Sequence, residues 1–458
     1  MHEFETQKML DLKEVPTKPT ILPLNGNADS YALKKHSGLS LWAAAVFVGG
    51  NMAGSGVLAL PRAVANAGPI GIALIAVFCI ASGYLGTRLA MCWVIIEERY
   101  PEYKKGVRDP YPTIGFHAFG QFGRILVSIT NTISLFGVSI VFLILCSDIL
   151  TALVRSLLPG YTICTWLLVI TLLLIPLSWI GSPKEFTWAG IAALVTTVIA
   201  SVLSIIQAAI DAPTVSPPPE YPAPGFLSFF LAFGAILFSF GGASTFPTIQ
   251  IDMKDKTKFP KAVAIAFVGL MLIYFPMATT GYYVYGDSVD SNILNNLSQG
   301  PMTVAAQVLI GAHVFSAFII IFNPVCQELE KALKVPSEMT WKRIVTRTLL
   351  MLLALFIAET VPRFGKILDL VGGSTISLLT FILPPLFYMR IVDQRKPEWI
   401  ERRISIIERI ICWVMIAVGT LGGVASTVSA VISITQDSGM DVPCYLQPFM
   451  ITDNSTAI

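Results

Sequence analysis

Two short runs of glycine interrupt long apolar segments of this chain, and their backbone groups are the first candidates for chemistry. The first run contains Gly54 and Gly56 and is followed by Pro61. The second run, near the middle of the chain, is Gly241 and Gly242. Glycine and proline weaken helices, and inside a membrane an unwound backbone needs partners for its N–H and C=O groups. A bound solute can be that partner.

The two breaks together favour a solute site over simple helix packing. Taken alone, the first break fits packing as well, because Gly50 and Gly54 have the GxxxG spacing of touching membrane helices. Corresponding breaks in two halves of a chain are typical of transporters with a midplane site between inverted repeats. Free N–H groups at a half-helix start attract a carboxylate, and free C=O groups at a half-helix end attract an ammonium group. The pattern therefore predicts a zwitterionic amino acid as ligand.

The side chains near the breaks predict a neutral amino acid. No Asp, Glu, Lys or Arg lies between Asn51 and Pro61, or between Ser239 and Gln250. Nothing there would pair with a charged substrate side chain. Four apolar residues are candidates for a wall of the site, although a phenylalanine in a membrane helix more often contacts lipid or packs in the core: Met52, Phe136, Phe240 and Phe246. Asn131 and Ser134 are candidates for further hydrogen bonds.

The composition places the chain in a membrane. Of its 458 residues, 54% are hydrophobic and only 13% are charged, and the mean hydropathy is +0.70. A net charge of +2 gives no reason to expect nucleic acid as a partner. The seven cysteines lack CxxC or Cys/His spacing, which argues against a metal site and a disulfide framework. Pairing of Cys164 with Cys444 stays open. The sequence has no evident group of acid/base or metal-binding residues of the kind that an enzyme needs.

Eleven segments are long enough to span a membrane, so we predict an all-α polytopic fold. A span needs about 20 mostly apolar residues. The predicted spans are 41–64, 70–96, 124–154, 162–180, 187–210, 226–251, 260–284, 301–330, 343–359, 367–389 and 408–433. They form a transporter domain over 38–433, with the breaks in spans 1 and 6, five spans in each of two repeats, and the eleventh added. We predict that residues 1–37 form a polar, disordered tail and that residues 434–458 form a second tail.

The basic residues predict which side of the membrane each loop faces. With the amino-terminal tail in the cytosol, 25 of the 31 lysines and arginines are cytosolic, as the positive-inside rule expects. Only four lie on the opposite side, Arg62, Arg155, Arg363 and Lys366. Two glycosylation sequons, at Asn296 and Asn454, also fall on the non-cytosolic side, together with the second tail. These features do not decide which membrane holds the protein, the plasma membrane or an endosomal, lysosomal or vesicle membrane.

Three strings in the chain resemble the amino acid/auxin permease family. They are Asn51-Met-Ala-Gly-Ser-Gly-Val-Leu-Ala-Leu-Pro61, Phe238-Ser-Phe-Gly-Gly242, and Val371-Gly-Gly-Ser-Thr375 leading to Phe381-Ile-Leu-Pro384. The resemblance covers about 38 to 433 and implies a LeuT-like fold of eleven helices, a cytosolic amino terminus, and amino acid symport driven by protons or sodium. It implies that the substrate site is lined by Asn51, Gly54, Ser55, Gly56, Ser239, Gly241 and Gly242. Some proton-coupled members of that family carry a histidine a few residues before the residue that matches Asn51, where this chain has Val46, Phe47 and Val48.

Ionisable residues inside the predicted spans are candidates for ion coupling, because burying them in lipid is costly. His313 lies about twelve residues into its span, near mid-bilayer, and an imidazole can relay a proton. A neutral histidine bonded between helices is the alternative. Asp369 is a second candidate, and Ser316 with carbonyls near Ala53 would suit sodium. Arg88 and Arg347 are expected to snorkel to the cytosolic face.

These observations favour a proton-coupled secondary transporter of small neutral amino acids. It would work by alternating access, rocking one helix bundle against the rest. A sodium-coupled transporter is an alternative. An amino acid sensor that signals through its cytosolic tail is another, although a tail of 37 residues offers no evident partner motif.

Overall fold

The computed structural model describes residues 38–155, 157–180, 186–336, 338–436 and 443–446, and this part of the chain is built from helices. The helices are α1 Leu41–Met52, α2 Ser55–Ala67, α3 Ile70–Arg99, α4 Pro110–Val154, α5 Ile163–Ile180, α6 Phe186–Asp211, α7 Phe226–Ser239, α8 Phe246–Ile251, α9 Phe259–Tyr285, α10 Pro301–Ala332, α11 Trp341–Thr360, α12 Phe364–Val371, α13 Leu383–Asp393 and α14 Ile406–Gln436. Two π-helical stretches, Gly372–Ile376 and Leu378–Ile382, connect α12 to α13. The amino-terminal tail lies outside the described residues.

Both predicted breaks are present. Helices α1 and α2 meet at a bend of 57°, with Ala53 and Gly54 between them. Ala53 is extended, with φ −72° and ψ 103°, so the helical hydrogen bonding of α1 stops there. Helices α7 and α8 are separated by residues 240–245, and Pro247 is the second residue of α8. Proline suits the first turn of a helix, where its missing N–H has no helical partner in any case.

The eleven predicted segments are all largely helical, but a count of eleven spans stays a prediction. Within the described part, eight helices are long and apolar enough to cross a membrane, or nine if α1 and α2 are one span. Helix α7 is apolar but too short to be counted among them, and α11 carries too many charged residues to be counted as apolar. The fold is nonetheless an all-helical bundle with interrupted helices, as predicted.

Helices α7 and α14 pack tightly against the first π-helical stretch through small residues. A Cβ on Gly372 in that stretch would lie 2.0 Å from the carbonyl oxygen of Gly234 in α7, so α7 could not approach this closely if position 372 carried a larger residue. A Cβ on Gly373 would lie 2.5 Å from Oγ of Ser426 in α14. The packing role that glycine has in membrane helices therefore applies to the Val371–Thr375 motif.

One end of the bundle, here called the α1 end, carries most of the ion pairs. Leu39, just before α1, pairs with the segment after α8, since its N–H donates to Asp252 and its carbonyl accepts from the N–H of Lys254. On α3, Glu97 pairs with Lys256 and Glu98 pairs with Arg402. These contacts bring together loops that the basic-residue pattern assigns to one side of the membrane.

The expectation that Arg347 snorkels is wrong. Its side chain is 1% exposed, Nε donates to Oε1 of Glu330 at 2.5 Å, and Nη1 donates to the carbonyl of Ser178 at 2.5 Å. The carboxylate partner removes the need to reach water. Arg88 is also paired, because Nη1 donates to Glu408 at 2.6 Å and the guanidinium lies 4.7 Å from the ring centre of Tyr84.

The opposite end, here called the loop end, is covered by residues 286–300 and by the short segment 443–446. Cys164 at the start of α5 forms a disulfide with Cys444, which answers the question left open by the sequence. The ring of Tyr445 stacks on Phe356 of α11, with centroids 5.9 Å apart. The described end of the chain is thus fixed to α5 and α11. Asn454 and the remaining carboxyl-terminal residues lie outside the described part.

Candidate functional site

The two helix breaks lie against each other at the centre of the bundle. Oγ of Ser239, the last residue of α7, lies 3.0 Å from the carbonyl oxygen of Gly56 and can donate to it. A Cβ on Gly56 would lie only 2.7 Å from Cα of Ser239. Glycine at position 56 is therefore required by the close approach of α2 to α7. The interruptions predicted from two distant parts of the sequence form one place in the structure.

A tyrosine that the sequence did not single out joins the two breaks. The hydroxyl of Tyr274 in α9 lies 2.9 Å from the carbonyl oxygen of Met52 and 3.1 Å from that of Ser239. Tyr274 is 0% exposed. Its position in an apolar segment carries no sign that it faces the breaks, because hydropathy does not tell which neighbour a helix face will meet.

A hydrogen bond between two polar side chains joins the first break to the second, on the side that faces the α1 end. Nδ2 of Asn51 donates to Oγ1 of Thr245 at 2.6 Å, and that hydroxyl in turn lies 2.9 Å from the carbonyl of Gly242. Asn51 is an exposed residue although its neighbour Met52 is buried. Thr197 of α6 approaches the carbonyl of Ala53 at 3.4 Å. The unwound backbone thus receives partners from several helices.

The glycines of the breaks have different surroundings. A Cβ on Gly242 would lie 2.5 Å from Cγ of Met52, and a Cβ on Gly241 would lie 2.8 Å from two atoms of Ile376. Both positions are packed, as Gly56 is. A Cβ on Gly54 would meet one neighbour within 4 Å, Nε2 of His313 at 3.3 Å. Among the glycines of the two breaks, Gly54 is therefore the one for which close packing gives the weakest explanation.

Two of the four residues in the predicted apolar wall, Phe240 and Phe246, pack in the core. Phe240 is 1% exposed and stacks on Phe267, with ring centres 6.1 Å apart. Phe246 is 1% exposed and also packs on Phe267. These contacts place both rings in the core between helices, as the packing interpretation expects.

The two candidates for further hydrogen bonds, Asn131 and Ser134, lie on α4, a long helix that begins earlier than predicted. Asn131 is half-buried, and its Oδ1 has no hydrogen-bond partner among the described residues. Ser134, one turn later, is 5% exposed, and Phe136 is half-buried. An unpartnered amide oxygen can accept a bond from a bound ligand.

The ion-coupling candidates are spread over the bundle. His313 is 8% exposed, its Nε2 faces Gly54, and its Nδ1 has no hydrogen-bond partner within the described ranges. Ser316, one turn away, is exposed and its hydroxyl donates to the carbonyl of Ala312 at 2.8 Å. Asp369 is buried in α12. In the described part, no three His, Cys, Asp or Glu side chains could hold a metal ion.

The described sequon residue is part of a folded loop. Nδ2 of Asn296 donates to the carbonyl of Ser288 at 3.1 Å, and its Oδ1 accepts from the N–H of Asp290 at 2.7 Å. The hydroxyl of Ser298 donates to Asp211 at the end of α6. These bonds close the 286–300 loop and hold it to the bundle.

Comparisons with known proteins agree with this architecture. The family described as transmembrane amino acid transporter protein matches residues 37–429. Amino acid transporter AVT1E of Arabidopsis thaliana is 26% identical over 392 residues, which cover 83% of this chain and 70% of that protein. Two solved LeuT-fold structures share the fold. A manganese transporter of Eremococcus coleocola has a TM-score of 0.57 at 12% identity, covering 93% of this chain and 92% of that one. MhsT in complex with L-phenylalanine has a TM-score of 0.52 at 13% identity, covering 86% and 99%.

The family match spans most of the chain and includes both helix breaks. The broken pairs α1–α2 and α7–α8 both fall within the matched residues. The chain belongs to the transmembrane amino acid transporter family, a family of membrane transporters and not of enzymes.

Proposed function

We propose that this protein is a secondary active transporter that binds a small neutral amino acid at the two facing helix breaks. The observation that carries the proposal is that the breaks meet, in a chain of an amino acid transporter family. The α-carboxylate would be held by free N–H groups near Gly54, at the start of α2. The α-ammonium would be held by carbonyls at the half-helix ends.

The charge of the site supports a neutral substrate. The side chains that bridge the breaks, those of Asn51, Ser239 and Thr245, are uncharged. A lysine or arginine substrate would bring a buried charge with no carboxylate in either break to pair with it, which is costly in a desolvated site. MhsT, which shares the fold, is described in complex with L-phenylalanine, an amino acid without a charged side chain.

We propose that transport is coupled to protons through His313. Nε2 of the imidazole faces Gly54, and Nδ1 has no partner among the described residues. A proton added to the ring would therefore place a positive charge directly beside the first break. Asp369 is buried near the end of α12, just before the first π-helical stretch, and is the second candidate. Sodium coupling is the alternative, with Ser316 and the carbonyl of Ala53 as its proposed ligands.

We also propose the orientation that the basic residues predict. The α1 end would face the cytosol, because the loops with most of the lysines and arginines gather there. The loop end would then face the non-cytosolic space, where the disulfide can persist. Asn296 and Asn454 remain proposed glycosylation positions on that side.

His313→Gln tests the coupling proposal in proteoliposomes. Glutamine keeps hydrogen-bonding capacity but cannot titrate. The variant should exchange internal for external amino acid at equal pH at the rate of the intact protein, and should lose accumulation driven by a pH gradient. His117→Gln is the matched control, since His117 bonds to Tyr103, away from the breaks. Undiminished pH-driven accumulation in His313→Gln would exclude His313 as the coupling group.

A further inference from the structure

Two half-helices end side by side with their carbonyl groups directed at one point. Met52 is the last residue of α1 and Ser239 is the last residue of α7. The carboxyl-terminal end of a helix carries a partial negative charge of about half an electron. In transporters with interrupted helices, such ends and the unwound carbonyls beside them are where a coupling cation is held.

In this protein a side chain occupies that point. The hydroxyl oxygen of Tyr274 lies 2.9 Å from the oxygen of Met52 and 3.1 Å from the oxygen of Ser239. The residue is 0% exposed, and its ring packs on Phe240 with ring centres 5.4 Å apart. The phenol is thus fixed with its one proton between two carbonyl oxygens of different half-helices.

We propose that the hydroxyl of Tyr274 takes the place of a cation between these two half-helix ends. The tyrosine supplies the positive end of an O–H dipole permanently, so the two breaks are joined at this point without sodium. The inference rests on the proposed transport function and narrows its coupling ion. It assigns Tyr274 a positioning role, because the residue acts on the half-helix ends and not on the reacting proton.

The proposal has a consequence for the variant Tyr274→Phe. Phenylalanine keeps the ring but leaves two buried carbonyl oxygens near one another without a donor. The space of the lost hydroxyl is then open to a small cation with oxygen ligands. Sodium binds oxygen ligands, whereas choline is far too large for such a space. The variant should therefore acquire a dependence on sodium that the intact protein lacks.

The test is thermal unfolding of the purified full chain in NaCl, KCl and choline chloride at equal ionic strength. We expect one unfolding midpoint for the intact protein in all three salts. Tyr274→Phe should unfold at a lower temperature in KCl and choline chloride, and NaCl should reverse part of that shift. Tyr283→Phe is the matched control, because Tyr283 lies on the same helix but is 60% exposed, and it should follow the intact protein in every salt.

Two outcomes would overturn the proposal. Sodium-selective stabilisation of the intact protein would do so, and this measurement does not depend on whether Tyr274→Phe folds. A folded Tyr274→Phe variant with no selective response to NaCl would show that the hydroxyl is an ordinary hydrogen-bond donor. Neither readout uses an amino acid, so failure of the transport proposal, seen as absent amino acid uptake, is a separate result.

Discussion

Gly54→Ala and Gly56→Ala form a matched pair that separates packing from binding at the first break. A methyl on Gly56 would lie 2.7 Å from Cα of Ser239, and backbone cannot rotate away. Such overpacking costs about 1–3 kcal/mol, and here we expect the upper part of that range. Alanine in place of glycine within a helix returns about 1 kcal/mol. The net loss of about 1–2 kcal/mol changes the folded-to-unfolded ratio roughly 5- to 30-fold.

The same substitution at Gly54 should behave differently. The methyl meets Nε2 of His313 at 3.3 Å, and a side chain can move by a few tenths of an ångström. We expect the free energy of unfolding to change by less than about 0.5 kcal/mol, as for a site without a serious clash. Amino acid affinity should nonetheless fall, because the methyl narrows the space beside the unwound backbone.

Denaturant unfolding in detergent and equilibrium binding of a radiolabelled neutral amino acid measure the two effects. The reasoning is refuted if Gly56→Ala is as stable as the parent protein while Gly54→Ala is the less stable of the two. Unchanged amino acid affinity in Gly54→Ala would return the first break to a packing role.

Substitutions also test two contacts away from the breaks. Glu330→Gln removes the charge paired with Arg347, which is 1% exposed, and should cost about 3–5 kcal/mol of unfolding free energy, whereas Lys331→Gln at a half-exposed position should change stability little. Equal unfolding curves for the two variants would contradict the buried ion pair. Cys444→Ser should lower stability by about 2–4 kcal/mol. A reducing agent should do the same to the intact protein but not to Cys444→Ser, and resistance of both to reduction would speak against the Cys164–Cys444 bond.

The helix breaks were predictable because their causes are local. Gly54 and Gly241 lie in apolar segments, where unwound backbone is rare without a function, and the structure breaks its helices there. Most spans were predictable for a related reason, since hydropathy over about 20 residues measures the cost of crossing lipid. The start of α4 at Pro110 was missed because residues before the non-helical Phe119–Gly120 bend are too polar to count as a span.

The partners across the breaks were not predictable, because they depend on contacts between distant helices. Nothing local to Tyr274 tells that its hydroxyl reaches Met52 and Ser239. Arg347 was expected to reach water because it lies close to the predicted cytosolic face, but Glu330 of the preceding helix pairs with it inside the bundle. A single sequence predicts which face of a helix is buried, but not which other helix packs against that face.

Uptake into proteoliposomes tests the central claim most directly. The purified protein would be offered a panel of radiolabelled neutral, acidic and basic amino acids, with the pH gradient and the sodium gradient varied separately. The account predicts that a small neutral amino acid accumulates above its external concentration when a pH gradient is present and sodium is absent, and that lysine and glutamate do not. Binding of an amino acid without accumulation or exchange under any gradient would contradict transport and favour a sensor.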